Sequence, residues 1–329
     1  MGGDELSIQR PDDIDYLSLY RGKPCIINDD IRINVPTLDE ICDYNDTKYF
    51  GMVHTLCSVG VELCWQLDEI GIDFEEVSDY RLFYSMLAKN YNNEQTRILF
   101  GDHLDFSKMK LYMNKDDESI SMVQQYLVSV PFMSEYGEEM TQIPYGDKVI
   151  LIEQGENVSK IKYNDNIGYV MSIYLSENEN GKCHIADEYN PKYFGNGTYH
   201  NIIIDENIYY QIVKYLRAIH NLKRDNRVAG TPGCKRAFIE DAKMEYEAML
   251  LEPKKSTLLP LVSTMVNSEG FKRNDKDVWD MNIYAFMDSV KRIAKIKNAS
   301  LLLQSGYSGF GIDLKKIKKD ELDYMGELN

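Results

Sequence analysis

Tryptophan is scarce in this chain, with two residues in 329, beside 24 tyrosines and 11 phenylalanines. Histidine is nearly as rare: His54, His103, His184, His200 and His220 are scattered with no two at ligand spacing, so no metal site is expected. The six cysteines, Cys25, Cys42, Cys57, Cys64, Cys183 and Cys234, include no Cys-x-x-Cys pair, which removes the zinc-knuckle and redox-motif readings. Cys57 and Cys64 lie two helical turns apart and are expected as buried thiols on the apolar face of one helix. No apolar run approaches the roughly 20 residues that a membrane-spanning helix requires. The opening Met1-Gly-Gly-Asp-Glu-Leu6 lacks the basic start and apolar stretch of a secretion signal. The expectation is a protein made and kept in the cytoplasm, unless it leaves as part of a larger particle.

Catalytic signatures are missing as well. There is no Gly-x-Ser-x-Gly elbow and no Cys–His pairing. Gly306-Tyr-Ser-Gly-Phe-Gly311 lacks the Gly-Lys-Ser/Thr ending of a phosphate loop and reads as a cap and turn after a helix. The carboxylate pairs Glu75/Glu76, Asp116/Asp117 and Glu138/Glu139 sit in polar surroundings that suit solvated turns better than a concave acid–base site. A non-enzymatic protein with no cofactor is expected.

What the chain does have is negative charge and tyrosine. It carries 37 Lys and Arg against 53 Asp and Glu, a net −16, so broad nucleic-acid binding is disfavoured. Charge is unevenly placed: from Glu252 to Lys319 there are 13 basic and 7 acidic residues. Tyrosine offers large contact area at low entropic cost and suits surfaces that are wet on one side. Tyr307 and Phe310, set among glycines, are candidate exposed aromatic contacts.

Along the chain the pattern predicts an α+β protein. Leu17–Tyr20, Pro24–Ile27 and Ile31–Val35 read as strands, the last two joined by a turn at Asn28–Asp30. Thr37 and Glu40 spell a capping box, opening helices that run to about Leu67 with a break near Gly60. A short helix is expected over 79–90, and paired strands over Arg97–Phe100 and Lys110–Met113. Residues 116–199 are acid-rich and dominated by short β-type runs, including Tyr126–Val130, Lys148–Ile152 and Lys160–Tyr163. After Ile204 the chain turns helical, with Asp205 as a cap, a polar helix over Cys234–Leu251 and another over Thr257–Met265. Trp279, Ile283, Phe286, Met287, Val290, Ile293 and Ala294 make the stripe of a helix expected over Asp275–Asn298, and Leu314–Met325 reads as an amphipathic tail helix. The resulting division is 1–115 and 200–329 as two parts of one host domain, with 116–199 as an inserted β module.

Within that module Gly146, Val149–Ile152, Gly155, Lys160-Ile161, Gly168-Tyr169-Val170 and Tyr174-Leu175 fall in the order of a bacterial SH3 (SH3b) domain. The stretch Ile143–Leu175 resembles that family, which implies a small all-β barrel with Tyr169 and Tyr174 as candidate interface residues and a cell-wall peptide as a ligand class. Val158 stands where such modules usually carry tryptophan. The flanking stretches, among them Tyr20-Arg-Gly-Lys-Pro24, Leu67–Phe74, Leu258–Ser268 and Phe286–Arg292, resemble phage and prophage tail or virion morphogenesis proteins of Gram-positive bacteria. That resemblance implies a virion or tail-assembly context and partners that are other phage proteins or copies of the same chain; the net charge and the lack of a long apolar run speak for neither nucleic acid nor membrane as a target. It favours a tail-assembly chaperone-like factor in the host cytoplasm, with a structural particle component displaying the SH3b-like module as the alternative.

Overall fold

The computed structural model describes residues 14–116, 118–177, 182–185, 196–251, 255–307, 316–326 and 328. The chain divides into two units, one formed by the segments up to Lys108 and from Asp205 onward, the other by Met109–Ile204. The fold is mixed, with helices in the first unit and an antiparallel sheet in the second.

The helical unit begins with α1 (Tyr16–Tyr20), a single turn capped by Asp15, whose carboxylate accepts from the Ser18 N–H at 3.0 Å. This segment was expected as a strand; the Asx cap ties it into a helix and only Leu19 is buried. β1 (Cys25–Ile26) and β2 (Arg32–Ile33) then form an antiparallel hairpin. Its turn is held by Asn28 Oδ1, which accepts from the amides of Asp30 and Ile31. The capping box of α2 (Leu38–Tyr44) is complete: Glu40 N–H donates to Thr37 Oγ1 at 3.2 Å and Thr37 N–H to Glu40 Oε2 at 2.8 Å. α3 (Asp46–Cys57) ends before Gly60, where a Cβ would collide with the Phe74 carbonyl, and α4 (Cys64–Glu69) follows. Cys57 and Cys64 therefore lie on two helices and not on one, although both are buried.

α5 (Asp79–Leu82) leads into further helical turns through Asn90. Next comes α6 (Asn93–Phe100), covering Arg97–Phe100, which was expected as a strand. Asn92 and Gln95 exchange reciprocal side-chain-to-amide bonds at 3.1 and 3.0 Å, a capping box that outweighs the β-type run. The remaining helices are α7 (Glu206–His220), capped by Asp205 on the Ile208 amide at 2.8 Å, α8 (Pro232–Leu251), α9 (Leu258–Val266), α10 (Ile283–Tyr307) and the short α11 (Lys319–Leu322).

Two expectations about the C-terminal helices are corrected. α10 starts eight residues later than Asp275, because the backbone of 279–283 is spent elsewhere. Asp39 and Leu38 amides donate to the carbonyls of Trp279 and Met281, Ile283 donates to Pro36 O, and Asn282 caps Ala285. Trp279 thus precedes the helix, which then runs on through Leu301–Gln304 to Tyr307. Of the amphipathic tail expected over 314–325, residues 314 and 315 lie outside the described residues, and among the rest only Lys319–Leu322 is α-helical.

Aromatic rings bind this unit together. Phe83 packs against Tyr209 at 4.8 Å and against Phe106 at 5.7 Å between centroids, and all three rings are fully buried. α8 covers a second cluster, laying Phe238, Ile239 and Ala242 over Val61, Cys64, Leu67 and Phe74. Lys235 of α8 pairs with Asp73 and, at 3.3 Å, with Glu75, so Glu75 is bound rather than left to solvent.

The β unit contains β3 (Lys110–Met113), the long β4 (Ile120–Met133), β5 (Glu139–Pro144), β6 (Lys148–Glu153), β7 (Val158–Tyr163), β8 (Asn166–Met171), β9 (Leu175–Glu177), β10 (Lys182–Ile185) and β11 (Thr198–Ile204). All pairings are antiparallel, in the order β11-β4-β8-β7-β6-β10-β9, with β3 and β5 also pairing β4. Among the described residues β11 and β9 do not pair, so the small barrel expected here is seen as an antiparallel sheet around one core, with no closed barrel among those residues. That core is Leu127, Val130, Phe132, Ile143, Val149, Ile161, Val170, Tyr174, Cys183 and Ile185. β3 pairs with β4 and not with the 97–100 segment.

Candidate functional site

Strand register sets the two faces of the β unit. Across β7 and β8, Ser159 is opposite Val170 and Ile161 opposite Gly168, and all four are buried. The intervening positions, Val158 opposite Met171 and Lys160 opposite Tyr169, necessarily face outward. β4 extends the row, since Met133 is in register with Tyr169.

Gly168 is what lets these strands approach. A Cβ there would lie 2.5 Å from the Met133 carbonyl and 2.8 Å from the Phe132 ring. With no side chain at 168, β8 closes onto β4, the Phe132 ring fills the core, and Tyr169 is delivered beside Met133 on the opposite face.

The result is a groove of about 300 Å³, floored by Met133, Val158, Tyr169 and Met171 and bordered by the Ser134–Gly137 turn. Lys160 Nζ lies 5.7 Å from the centroid of the Tyr169 ring, a cation–π contact at the wall of the groove. Glu135 stands exposed at the rim. The turn is ordered by Ser134: its Oγ accepts from the amides of Tyr136 and Glu138, and Gly137 takes a φ of +78°. Tyr136 at the tip is 89% exposed. An apolar floor between one cation and one carboxylate is a surface for holding an apolar side chain next to charged ones.

The four residues singled out from sequence do not converge. Tyr169 lines the groove. Tyr174 is 2% exposed and belongs to the core, where its hydroxyl accepts from the Gly197 amide at 2.8 Å; it offers no outward face. Tyr307 is 82% exposed at the end of α10, in the other unit. Phe310 lies outside the described residues. Met133, Tyr136 and Met171 were missed. Alternation around Tyr169 could have found Met171, two residues on in the same strand, whereas Met133 enters only through the β4–β8 pairing.

Among the described residues no group of three or more His, Cys, Asp or Glu side chains is placed to hold a metal ion, and no helix is long and apolar enough to cross a membrane. Compared with protein-family models, with curated proteins and with solved structures, the chain matches none.

Proposed function

We propose that this chain is a non-enzymatic morphogenesis protein of a phage or prophage that works by holding other proteins, most simply as a tail-assembly chaperone-like factor in the host cytoplasm. The observation that carries the binding role is the groove of the β unit, an outward apolar floor built on a rigid three-strand register and flanked by Lys160 and Glu135. Such a surface suits a short peptide segment of another phage protein or of a second copy. The phage context rests on the sequence resemblance of the flanking segments. We further read the open sheet as an SH3b-like module, on the strength of Gly146, Gly155, Gly168-Tyr169-Val170 and Tyr174 in family order.

The second reading is a structural virion or tail component that displays this module toward the host cell wall. It is favoured by Tyr136, a tyrosine held out on an ordered turn at the groove's edge. Quantitative mass spectrometry of purified particles beside the lysate that produced them separates the two. Abundance in the lysate with none in the particle is expected of the assembly factor, and many copies per particle would sink it in favour of the displayed component.

A further inference from the structure

The groove is part of a wider face of the β unit. Beyond it the same outward side continues through Lys148 and Ile150 of β6, Lys160 and Lys162 of β7 and Ile167 of β8, alternating with core residues Val149, Ile161 and the buried Gly168. Ile150 is opposite Lys162 and Lys162 opposite Ile167, so an isoleucine flanks that lysine on each side. Both isoleucines are 55% exposed. Lys162 pairs with Asp165 of the following turn at 3.0 Å, an exposed contact. Among the described residues Lys148 and Lys160 have no ion pair, although Glu153 at the end of β6 is in register with Lys160.

A surface of the opposite sign lies on α8. From Met244 to Leu251 the helix carries Glu245 and Glu247 and no cation, and every one of these residues is exposed. Tyr246 packs on Trp65 at 5.0 Å between centroids, which turns Met244, Ala248 and Leu251, at i, i+4 and i+7, to the other side of the helix. Lys243, the nearest cation along the helix, pairs with Glu69 at 3.7 Å and leaves both glutamates without an ion pair among the described residues. One surface is thus apolar with lysines, the other apolar with glutamates. Two copies of a chain with net charge −16 repel each other in general, and a contact that sets this face against this helix reverses the sign locally.

We propose that α8 of one copy docks through Met244, Ala248 and Leu251 on the β6–β8 face of a second copy, with Glu245 and Glu247 toward Lys148 and Lys160. This names the occupant of the face read above as protein-holding, and it rests on that reading. Helix and face are different surfaces, so each copy in a pair keeps one of them free and the contact propagates head to tail, into a ring or an open string.

The test is sedimentation velocity of the full chain from about 5 to 500 μM in about 50 mM salt, repeated in about 500 mM salt. Concentration-dependent association is expected, weakened about tenfold or more by the higher salt as the Debye length shrinks. Lys148→Glu/Lys160→Glu and Glu245→Lys/Glu247→Lys should each weaken it about tenfold or more, with melting unchanged. An equal mixture of the two variants should associate again, because acidic helix meets basic face in one pairing and the exchanged charges meet in the other. Should a variant fail to fold, Gln at the same positions tests the loss of association. A wild-type chain that stays monomeric at the highest concentration, association kept by either folded variant, or a mixture no more associated than its parts would overturn the proposal. Loss of co-purifying phage proteins from Val158→Glu/Tyr169→Ala in that same case would show the groove to hold a different partner.

Discussion

Lys160 and Tyr169 sit directly opposite one another in adjacent strands, and the lysine ammonium lies 5.7 Å from the centroid of the tyrosine ring. Both face outward, and Tyr169 lines a groove with Met133, Val158 and Met171, so apolar area, an aromatic ring and a cation come together there.

Tyr169 and Tyr174, five residues apart, should respond unequally to mutation. Tyr169→Ala is expected to cost about 1–2 kcal/mol in urea unfolding, less than a core tyrosine, because its ring is only partly buried. Tyr174→Ala should cost about 3–5 kcal/mol, as it empties a fully buried ring site and strands the Gly197 amide. Equal costs for the two would show that their placement on opposite faces is wrong.

Gly168→Ala is expected to destabilise the chain by about 1–3 kcal/mol. The added methyl meets the Met133 carbonyl and the Phe132 ring, and backbone cannot step aside as a flexible side chain could. Thermal melting of the variant beside Gly71→Ala separates a steric effect from a purely conformational one. Gly71 has open space around it and a φ of +72°, so its cost should be conformational alone. A Gly168→Ala melting point equal to wild type would mean that β4 and β8 are not packed as described.

Acid should weaken the helical unit through His220. Its Nε2 is 2.6 Å from the Tyr49 hydroxyl and its Nδ1 2.7 Å from the Leu216 carbonyl, all buried, so a neutral imidazole donating from Nδ1 and accepting at Nε2 satisfies every group. Burial lowers its pKa to about 4. The unfolded chain therefore takes up a proton first as pH falls below about 6.5. The stabilisation is whole above that pH and is lost toward pH 4, by up to about 3 kcal/mol. Urea unfolding at pH 7.5 and pH 5.5, a window in which ordinary carboxylates stay ionised, should show the decline in wild type and a flatter response in His220→Gln. The same slope in both would remove His220 as the cause.

Thiol reactivity should divide the six cysteines into two groups. Cys42 and Cys234 are exposed, whereas Cys25, Cys57, Cys64 and Cys183 are buried. Burial pushes Cys25 and Cys57 up to about 12, leaving almost no thiolate at neutral pH. Titration of the native protein with a disulfide reagent at pH 8 should consume two thiols, and four more only in denaturant. Cys234 should be the faster of the two, since partial burial and the charges of Asp46, Asp39 and Asp43 raise Cys42. Five or six reactive thiols in the folded chain would contradict the packing around α3 and α4.

Local chemistry was legible in the sequence wherever it was short-range. The Thr37–Glu40 box, the Asn28 turn, the Asp205 cap and the β-type run Lys160–Tyr163 all depend on residues within a few positions, and the structure uses each as read. The misreadings have two sources. Short apolar runs such as Leu17–Tyr20 and Arg97–Phe100 suit strand or helix equally, and caps at Asp15 and Asn92 decided for helix. The late start of α10 depends on pairing with residues 36–39, 240 or more positions away, which no periodicity reveals. The groove was half legible for the same reason: Tyr169 and Met171 share a strand, but Met133 joins them only through the β4–β8 pairing.

The proposal that the groove is where this chain holds its partner is tested most directly in cells that produce the proposed phage particle. Tagged wild type and the double variant Val158→Glu/Tyr169→Ala would be purified side by side and their co-purifying proteins quantified by mass spectrometry, after melting curves show that the variant is folded. The account predicts that one or a few phage-encoded proteins are retained by wild type and lost from the variant. Retention of the same proteins at the same level by both would contradict it.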